Sequence, residues 1–264
     1  MWIPVLLYHR ITNEISKASR AVCISPRAFD RQMGYLRQNG FKVVSLGQVR
    51  DAVEGERSLP ARSVAITFDD GYRDNYYNAF PILQKYGFGA TVFLVTDLIG
   101  RTNVWDQRSL GTRPVPLLSG PEIREMSKHG IEFGSHSRTH PMLTSLSLDE
   151  IAAEVAGSKR DLEDILGAEA RFFSYPYFAA GEREHSVVES AGFAGACGGE
   201  DLRDSSCYHL NRVVILPEHW LITRMKFIGL YRKLRLNPLL RVLKHRMTPA
   251  HRMVGGARTN VTRC

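Results

Sequence analysis

Two pairs of side chains that could bind a metal ion each follow a short apolar run. Asp69 and Asp70 come directly after residues 64–68, and His136 and His140 follow residues 131–134. Zinc accepts imidazole nitrogen and carboxylate oxygen in a tetrahedral shell, and a catalytic zinc site keeps one position for water. Two histidines four residues apart lie on one side of the chain if the segment forms a helical turn. One carboxylate and these two imidazoles would therefore supply three ligands and leave a fourth position open.

Each pair also has a purely structural interpretation. An aspartate after a strand is a favoured helix N-cap, and two histidines at this spacing arise readily by chance. One aspartate is enough for a cap, however, and adjacent carboxylates repel each other unless a cation or a donor separates their roles. Active sites of parallel α/β folds lie at the carboxyl ends of strands. Two polar pairs at two strand ends therefore favour a metal site.

Two further segments carry groups suited to amide hydrolysis. Residues 171–177 run from a predicted strand into a proline turn, where Arg171 could pair with a carboxylate and a backbone N–H could face an oxyanion. His9 ends the first predicted strand, and a side chain that titrates near neutral pH suits the protonation of a departing nitrogen. An ordinary strand with a surface arginine, and a structural histidine, are the simpler interpretations of each segment taken alone.

The elements that would position these residues alternate between short apolar runs and helical patterns. This alternation is typical of βα units around a parallel sheet or barrel. We predict an α/β barrel as a single domain over residues 1–221, followed by a basic, partly flexible helical tail over residues 222–264. Strands are predicted at residues 4–8, 64–68, 90–95, 131–134, 171–174, 194–196 and 210–215, and helices at residues 26–40, 75–86, 121–129, 148–166 and 186–191.

Composition fits one globular core without thiolate chemistry. The chain has 264 residues, of which 44% are apolar, and this is enough for one sizeable core. Its four cysteines form no CxxC pair, which argues against a thiolate metal site or a disulfide scaffold and suits a reducing compartment. The opening apolar run, residues 2–8, is too short to span a bilayer and follows no basic residue. A cytoplasmic location is therefore predicted.

The net charge of +8 is concentrated at the C-terminal end. Residues 222–264 hold 11 of the 35 Lys and Arg residues and no Asp or Glu, which leaves 24 basic against 27 acidic residues in positions 1–221. A nucleic-acid-binding protein more often spreads its basic residues over the folded surface, so no nucleic-acid partner is expected. The apolar stripe from Leu221 to Leu234 predicts either a last helix packed on the barrel or an interfacial helix on anionic lipid at the inner membrane.

Taken together, these segments resemble the NodB-homology polysaccharide deacetylases, the fourth family of carbohydrate esterases. The resemblance covers about residues 3–235. The early YH segment followed by an LRQNGF helix is most similar to the subgroup that deacetylates poly-N-acetylglucosamine and related glycans. The matching segments, in chain order, are LLYHRI, FDRQMGYLRQNGFKVVSL, AITFDDGYRDNY, FPILQKYGFGATVFL, IEFGSHSRTHPMLT, EVAGSKRDLEDILG and RFFSYPY.

The resemblance implies an irregular (β/α)7 barrel with a divalent metal ion. The activity it implies is removal of acetyl groups from the nitrogen of amino sugars in a polysaccharide or a lipid-linked glycan. The implied metal ligands are Asp70, His136 and His140. Zinc is the usual metal of the family, and some members work with cobalt or nickel.

The same resemblance implies a role for each of the remaining polar groups. Asp69 would be the general base and His9 the general acid. Arg171 would hold Asp69 charged and oriented, and the backbone N–H of Tyr177 would help bind the oxyanion.

Two features depart from the family pattern. Phe178 stands where a glycine normally follows the Pro-Tyr pair, which puts the oxyanion contribution and the breadth of substrates in question. The late motif that supplies the acid histidine in many members is not evident, because neither His209 nor His219 has the family spacing. We therefore favour His9 over His219 as the acid.

Two other functions stay open at this point. Some members of the family process small cyclic amides or formylated sugars, so an amide hydrolase or deformylase with a non-polymeric substrate is one alternative. An inactive glycan-binding relative is the other, and Phe178 is the one feature in its favour. The intact polar set argues against it, because a binding module has no need of a metal–water site. Metal bound to the purified protein would distinguish a metal-dependent hydrolase from such an inactive relative.

Overall fold

The fold is centred on a curled sheet of parallel strands. The computed structural model describes residues 3–16, 19–105, 113–200 and 205–236. The strands, in chain order, are β1 (Val5–Tyr8), β2 (Arg10–Ile11), β3 (Cys23–Ile24), β4 (Lys42–Val43), β5 (Ser63–Phe68), β6 (Ala90–Leu94), β7 (Ile131–Ser135), β8 (Phe172–Ser174), β9 (Gly195–Cys197) and β10 (Val213–Val214). The helices are α1 (Pro26–Gln38), α2 (Leu46–Val53), α3 (Phe80–Tyr86), α4 (Gly120–Lys128), α5 (Leu148–Leu166), α6 (Glu182–Ser190), α7 (Trp220–Phe227) and α8 (Leu230–Leu236).

The order of the strands confirms the predicted barrel. The main path runs β10-β1-β5-β6-β7-β8-β9, and neighbouring strands are parallel. Leu210 bridges in parallel to Cys197 of β9, while Val213 and Val214 pair with β1. One short segment therefore contacts both edges of the curled sheet. Each of the seven predicted strands corresponds to one of these seven, with ends shifted by up to three residues.

Helix ends follow the capping signals of the sequence. The Ser25 side chain accepts the Ala28 N–H at the start of α1. Ser147 and Glu150 form a capping box at the start of α5, and Gly167 ends that helix with φ of 63°. The predicted helix at residues 148–166 is confirmed at both ends. Sequence patterns did not indicate α2, nor the two-residue strands β2, β3 and β4.

The predicted helix at residues 75–86 is divided into two kinds of helix. Asn75–Ala79 is a π-helix, and it continues directly into α3. The Phe80 N–H reaches back five residues to the Asn75 carbonyl. Pro81 explains the change, because its ring has no N–H to donate and crowds the carbonyl four residues earlier. The wider turn accommodates the ring at this point.

Apolar side chains fill both faces of the sheet. Phe29, Met33 and Leu36 of α1 pack with Phe68 and other residues on the outer face. A second cluster contains Leu46 and Val49 of α2 and one side chain from each of several strands. Its strand members include Val5, Ala65, Phe93, Phe172 and Cys197. Since each successive strand side chain points to the opposite face, this inner cluster fills the barrel beneath the polar residues at the strand ends.

The C-terminal helices place their apolar residues on two sides. Phe227 is buried in the main core and Thr223 is buried with it, whereas Leu221, Ile222 and Ile228 are exposed. Residues 237–264, which contain the rest of the predicted basic tail, lie outside the described residues. Within the described ranges, no helix combines the length and the apolar character that a bilayer crossing requires.

Candidate active site

A sharp turn after β5 separates the two adjacent carboxylates. The Asp69 N–H still donates to the Tyr8 carbonyl of β1, but Asp70 and Gly71 both adopt the left-handed region, with φ of 73° and 68°. A Cβ atom at Gly71 would lie 2.5 Å from Cδ2 of Leu94, so both the conformation and the space require glycine. The turn sends Asp69 and Asp70 into different surroundings, as their proposed division of labour requires.

Three buried side chains converge on one point. The Asp70 Oδ1 atom lies 3.4 Å from Nε2 of His136 and 3.3 Å from Nε2 of His140. One ligand atom from each of the three residues lies within 4.8 Å of the others. Burial alone would raise the pKa of Asp70, but the contacts with His136 and His140 hold the pKa well below its usual range. An ionised carboxylate and two imidazole nitrogens form a donor set that suits a divalent metal ion.

The orientation of His136 fits metal binding. Its Nδ1 atom lies 2.7 Å from the Ser174 carbonyl oxygen, which can only accept a hydrogen bond. Nδ1 therefore carries the proton, and the lone pair of Nε2 is directed to the point shared with Asp70. A second hydrogen bond of this kind is the usual means of fixing the tautomer of a metal-binding histidine.

The two histidines converge without a helical turn, so that part of the prediction is wrong. The loop after β7 is non-helical, and Ser137 and His140 have φ of 66° and 62°. The Glu154 carboxylate on α5 accepts the backbone N–H groups of Arg138 and Thr139, at 2.8 and 3.0 Å. The left-handed residues reverse the chain, and hydrogen bonds from a neighbouring helix hold the loop in that form.

Asp69 is bound by an arginine that the sequence-based interpretation did not select. Nη1 and Nη2 of Arg212 lie 2.7 and 2.8 Å from Oδ1 and Oδ2 of Asp69, and both side chains are almost fully buried. The Ser174 hydroxyl donates to Oδ2 of Asp69 as well. Burial alone would raise the pKa of Asp69, but the charge and hydrogen bonds of Arg212 and the charge of His136 together outweigh it, so the pKa lies below its ordinary value.

These features coincide with a match to a known family. The family model described as polysaccharide deacetylase matches residues 56–196, more than half of the chain. The chain belongs to the polysaccharide deacetylase family. Members of this family are metal-dependent hydrolases that act on N-acetyl groups, so both the enzyme class and the need for a metal site follow from the match.

Individual relatives extend the similarity over most of the chain. The Bacillus subtilis protein YxkH is 28% identical over 218 residues, which are 81% of this chain and 72% of the relative. A poly-β-1,6-N-acetyl-D-glucosamine N-deacetylase of Staphylococcus aureus is 27% identical over 214 residues, which are 76% of this chain and 70% of the relative. The solved structure of the Streptococcus pyogenes deacetylase PplD in complex with acetate is 26% identical with a TM-score of 0.72, and covers 86% of this chain and 97% of that chain. The predicted family resemblance is confirmed.

The expectation from the family resemblance that Arg171 keeps Asp69 charged and oriented is wrong. Arg171 directly precedes β8, at the end of that strand opposite to the polar centre, and its side chain is exposed. A Cβ atom added to Gly47 of α2 would lie 3.3 Å from its Nη1 atom, which places the guanidinium beside that helix. Arg212 comes instead from the segment that closes the sheet, where Nε also donates to the Gly198 carbonyl. A single arginine inside the apolar run of residues 210–215 was the available signal, because a buried charge requires a partner.

The other predicted site residues lie around this deacetylase centre. His9 follows β1 directly and is half-buried, and its backbone carbonyl accepts a hydrogen bond from Nδ2 of Asn75. His219 instead caps α7, where its Nδ1 accepts the Leu221 N–H. Tyr177 has its ring 4.7 Å from the ring of His140. The roles of His9 as acid and of the Tyr177 N–H as oxyanion donor stay predictions.

Phe178, which stands where the family pattern has a glycine, adopts a backbone conformation that favours glycine. Its φ is 59°, in the left-handed region that glycine adopts without strain. Its ring centroid lies 5.7 Å from Cζ of Arg212. The departure from the family pattern therefore adds an aromatic ring beside the arginine that binds Asp69.

Proposed function

We propose that the chain removes acetyl groups from N-acetylated amino sugars in a polysaccharide or a lipid-linked glycan, with a β-1,6-linked poly-N-acetylglucosamine as the substrate class. One observation carries this proposal. Three buried ligand atoms on Asp70, His136 and His140 meet beside a separate carboxylate, Asp69, which Arg212 keeps ionised. The name of the Staphylococcus aureus relative supports the substrate class.

A divalent ion held by Asp70, His136 and His140, which we propose to be zinc, would polarise the acetyl carbonyl and lower the pKa of water from about 15.7 towards about 7. Asp69 accepts the proton of the water as its oxygen bonds to the acetyl carbon. The backbone N–H of Tyr177 donates to the negative carbonyl oxygen that develops. His9 donates a proton to the sugar nitrogen as the carbon–nitrogen bond breaks, and the products are acetate and a free amine.

Acetate release from a panel of substrates tests the proposal. The panel contains β-1,6-linked N-acetylglucosamine oligomers, chitooligomers, lipid-linked N-acetylglucosamine, an N-formyl sugar and small cyclic amides. We expect the N-acetylglucosamine oligomers to be hydrolysed in a metal-dependent way. Faster hydrolysis of the formyl sugar or of the small amides would favour the alternative of a deformylase or a small-amide hydrolase.

The Asp69→Asn variant tests the division of labour within the site. It should bind the metal as the wild type does, because Asp69 is not among the three ligands, yet release almost no acetate. Asp70→Asn, in contrast, should lose both the metal and the release of acetate. Near-normal turnover by Asp69→Asn would refute the assignment of the base, and a wild type that binds glycan without any metal or turnover would support an inactive glycan-binding protein.

We further infer peripheral contact with an anionic membrane surface on the cytoplasmic side, through α7 and the basic residues around it. The support is a set of exposed apolar residues on α7, at its C-terminal end and at the start of α8: Leu221, Ile222, Ile228 and Leu230 are 56%, 36%, 55% and 40% exposed. Residues 222–264 contain no acidic residue. Exposed apolar residues within a cationic segment have the composition of an interfacial helix.

Vesicle co-sedimentation of the full chain tests this contact. We expect Ile228→Ser to weaken binding to phosphatidylglycerol vesicles roughly tenfold, since one exposed isoleucine no longer enters the interface. Ile15→Ser is the matched control, because Ile15 is 39% exposed and lies far from α7 in the sequence. Equal pelleting of the two variants, or equal binding to phosphatidylcholine vesicles, would remove the membrane contact.

A further inference from the structure

Two consecutive aromatic residues at the site hold an unusual backbone conformation. Tyr177 and Phe178, in the turn after β8, have φ of 57° and 59°. The left-handed region is unfavourable for residues with a Cβ atom, and an aromatic side chain there requires compensating contacts. Phe178 packs closely on the chain after β9, since a Cβ atom at Gly199 would lie 2.8 Å from its own Cβ. The turn is thus held in place by its surroundings.

Both rings are exposed, whereas the polar centre beneath them is buried. Tyr177 and Phe178 are 48% and 38% exposed, and Asp69, Asp70 and His136 are no more than 6% exposed. Tyr177 contacts the ring of His140, and Phe178 lies beside Arg212. The two rings therefore border the centre on its solvent side, one next to a metal ligand and the other next to the partner of the base.

An exposed aromatic face next to a sugar-processing centre has a specific chemical use. The C–H groups on one face of a pyranose ring form an apolar surface that packs flat on an aromatic ring. Tyr177, beside the metal ligands, borders the position of the reacting sugar. Phe178 lies one residue further along the turn, beside Arg212.

We propose that Phe178 is a specificity-determining residue whose exposed ring binds the sugar next to the one that is deacetylated, so that the enzyme prefers an oligomeric glycan to a small acetylated compound. This inference rests on the proposed function. A simpler alternative, which we call cover, is that Phe178 does no more than shield Arg212 from water. The two roles predict different kinetics, because cover acts on every substrate through Asp69 and Arg212, whereas a sugar-binding ring acts only on substrates that contain the additional sugar.

The test compares two substrates on the metal-loaded full chain. One is a β-1,6-linked N-acetylglucosamine pentamer, and the other is 4-nitrophenyl acetate, which has an acetyl group but no sugar. The variants are Phe178→Gly, which adopts φ of 59° without strain, and Phe178→Leu, which retains apolar cover over Arg212 without an aromatic face. Tyr77→Leu removes an aromatic ring that is 57% exposed and hydrogen-bonded to Glu122, as the matched control.

We expect the ratio of kcat/KM for the pentamer to that for the ester to fall roughly three- to tenfold in both Phe178 variants. The loss should come from a higher KM for the pentamer, and Tyr77→Leu should keep the wild-type ratio. An unchanged ratio, or a loss in Phe178→Gly that Phe178→Leu fully restores, would overturn the inference and leave cover as the role. A wild type that hydrolyses the ester but no glycan would refute the proposed function itself, and the inference with it.

Discussion

Arg212 and Asp69 are joined by two parallel hydrogen bonds across 143 positions of sequence, with Nη1–Oδ1 and Nη2–Oδ2 distances of 2.7 and 2.8 Å. The third arm of the guanidinium, Nε, donates to the Gly198 carbonyl at 2.8 Å. Only the planar fork of arginine can make these contacts together. Asp69 is thereby fixed in orientation as well as in charge, as its proposed role of base requires.

The first prediction concerns Arg212→Lys. A lysine keeps the positive charge but cannot hold both carboxylate oxygens, so Asp69 should turn away from the position that suits proton transfer. We expect kcat for deacetylation to fall about 100-fold, which is typical of small displacements of reacting groups. Metal content should stay at the wild-type level, because Arg212 forms its hydrogen bonds with Asp69, Ser174 and Gly198 and not with any of the three ligand side chains. Acetate release and metal analysis of the same preparation provide the measurement.

Arg171→Lys is the matched control for this experiment. Arg171 is exposed and lies beside Gly47 at the opposite end of the barrel, so its variant should retain activity within about twofold, as expected for a surface substitution. Equal losses in the two variants would contradict the assignment of Arg212. They would restore the family-based role of Arg171.

The second prediction separates the proposed acid from the other reactions of the site. His9→Asn should lower hydrolysis of an N-acetyl amide by about 100-fold or more, because the departing amine must be protonated. Hydrolysis of 4-nitrophenyl acetate should fall far less, because nitrophenolate leaves without a proton. The ratio of the two rates is the measured quantity, and it should drop sharply in His9→Asn.

His219→Asn supplies the comparison, because asparagine also caps helices and can replace the contact of His219 with the Leu221 N–H. Its amide-to-ester ratio should equal that of the wild type. A ratio that changes in His219→Asn and not in His9→Asn would transfer the acid role to the later histidine.

The elements could be predicted where a repeating pattern exists. Each of the seven main strands is an apolar run, and α5 shows helical spacing together with a capping box, so its bounds were predicted correctly. A two-residue strand such as β2 has no period to detect. The π-helix at Asn75–Ala79 also has no pattern of its own, although Pro81 within the predicted helix marks where the regular hydrogen bonds must fail.

Sequence motifs predicted the parts of the candidate site that lie within short segments, but not the contacts between distant segments. The grouping of His136 and His140 with one aspartate followed from their places at strand ends, and the family resemblance selected Asp70 as that aspartate. The loop conformation did not, because left-handed φ at Ser137 and His140 is rare for such residues and depends on Glu154 of α5. The arginine within residues 210–215 signals a buried ion pair, but its pairing with Asp69 depends on how the last strand closes the sheet, which no local pattern encodes.

The third prediction tests how α5 holds the loop that follows β7. Glu154→Ala removes the acceptor of the Arg138 and Thr139 N–H groups and of the Thr139 hydroxyl. The loop that carries both histidines should become less ordered, and we expect metal affinity to fall about tenfold, as for other groups that orient ligands. Competition with a chromophoric chelator measures the affinity. Asp164→Ala removes an equal charge from an exposed position of the same helix, and an affinity loss of the same size in that variant would attribute the effect to charge alone.

The last prediction concerns Cys197, whose thiol lies inside the barrel near Arg212 and Asp69. Burial, more than any nearby charge, raises the pKa of Cys197 to about 12. At pH 8 only about one thiol in 10⁴ is then ionised, against roughly one in four for an ordinary cysteine with a pKa near 8.5. Since the thiolate is the reactive form, iodoacetamide should leave Cys197 unmodified in the folded protein. Among the cysteines that the structure describes, it should label the half-buried Cys207 before the buried Cys23 and Cys197. Unfolding in guanidinium chloride returns the pKa to its ordinary range, so mass spectrometry of the peptides should then find Cys197 and Cys207 alkylated alike. Rapid native labelling of Cys197 would mean that water reaches the barrel interior, and the burial of the Arg212–Asp69 pair would have to be abandoned.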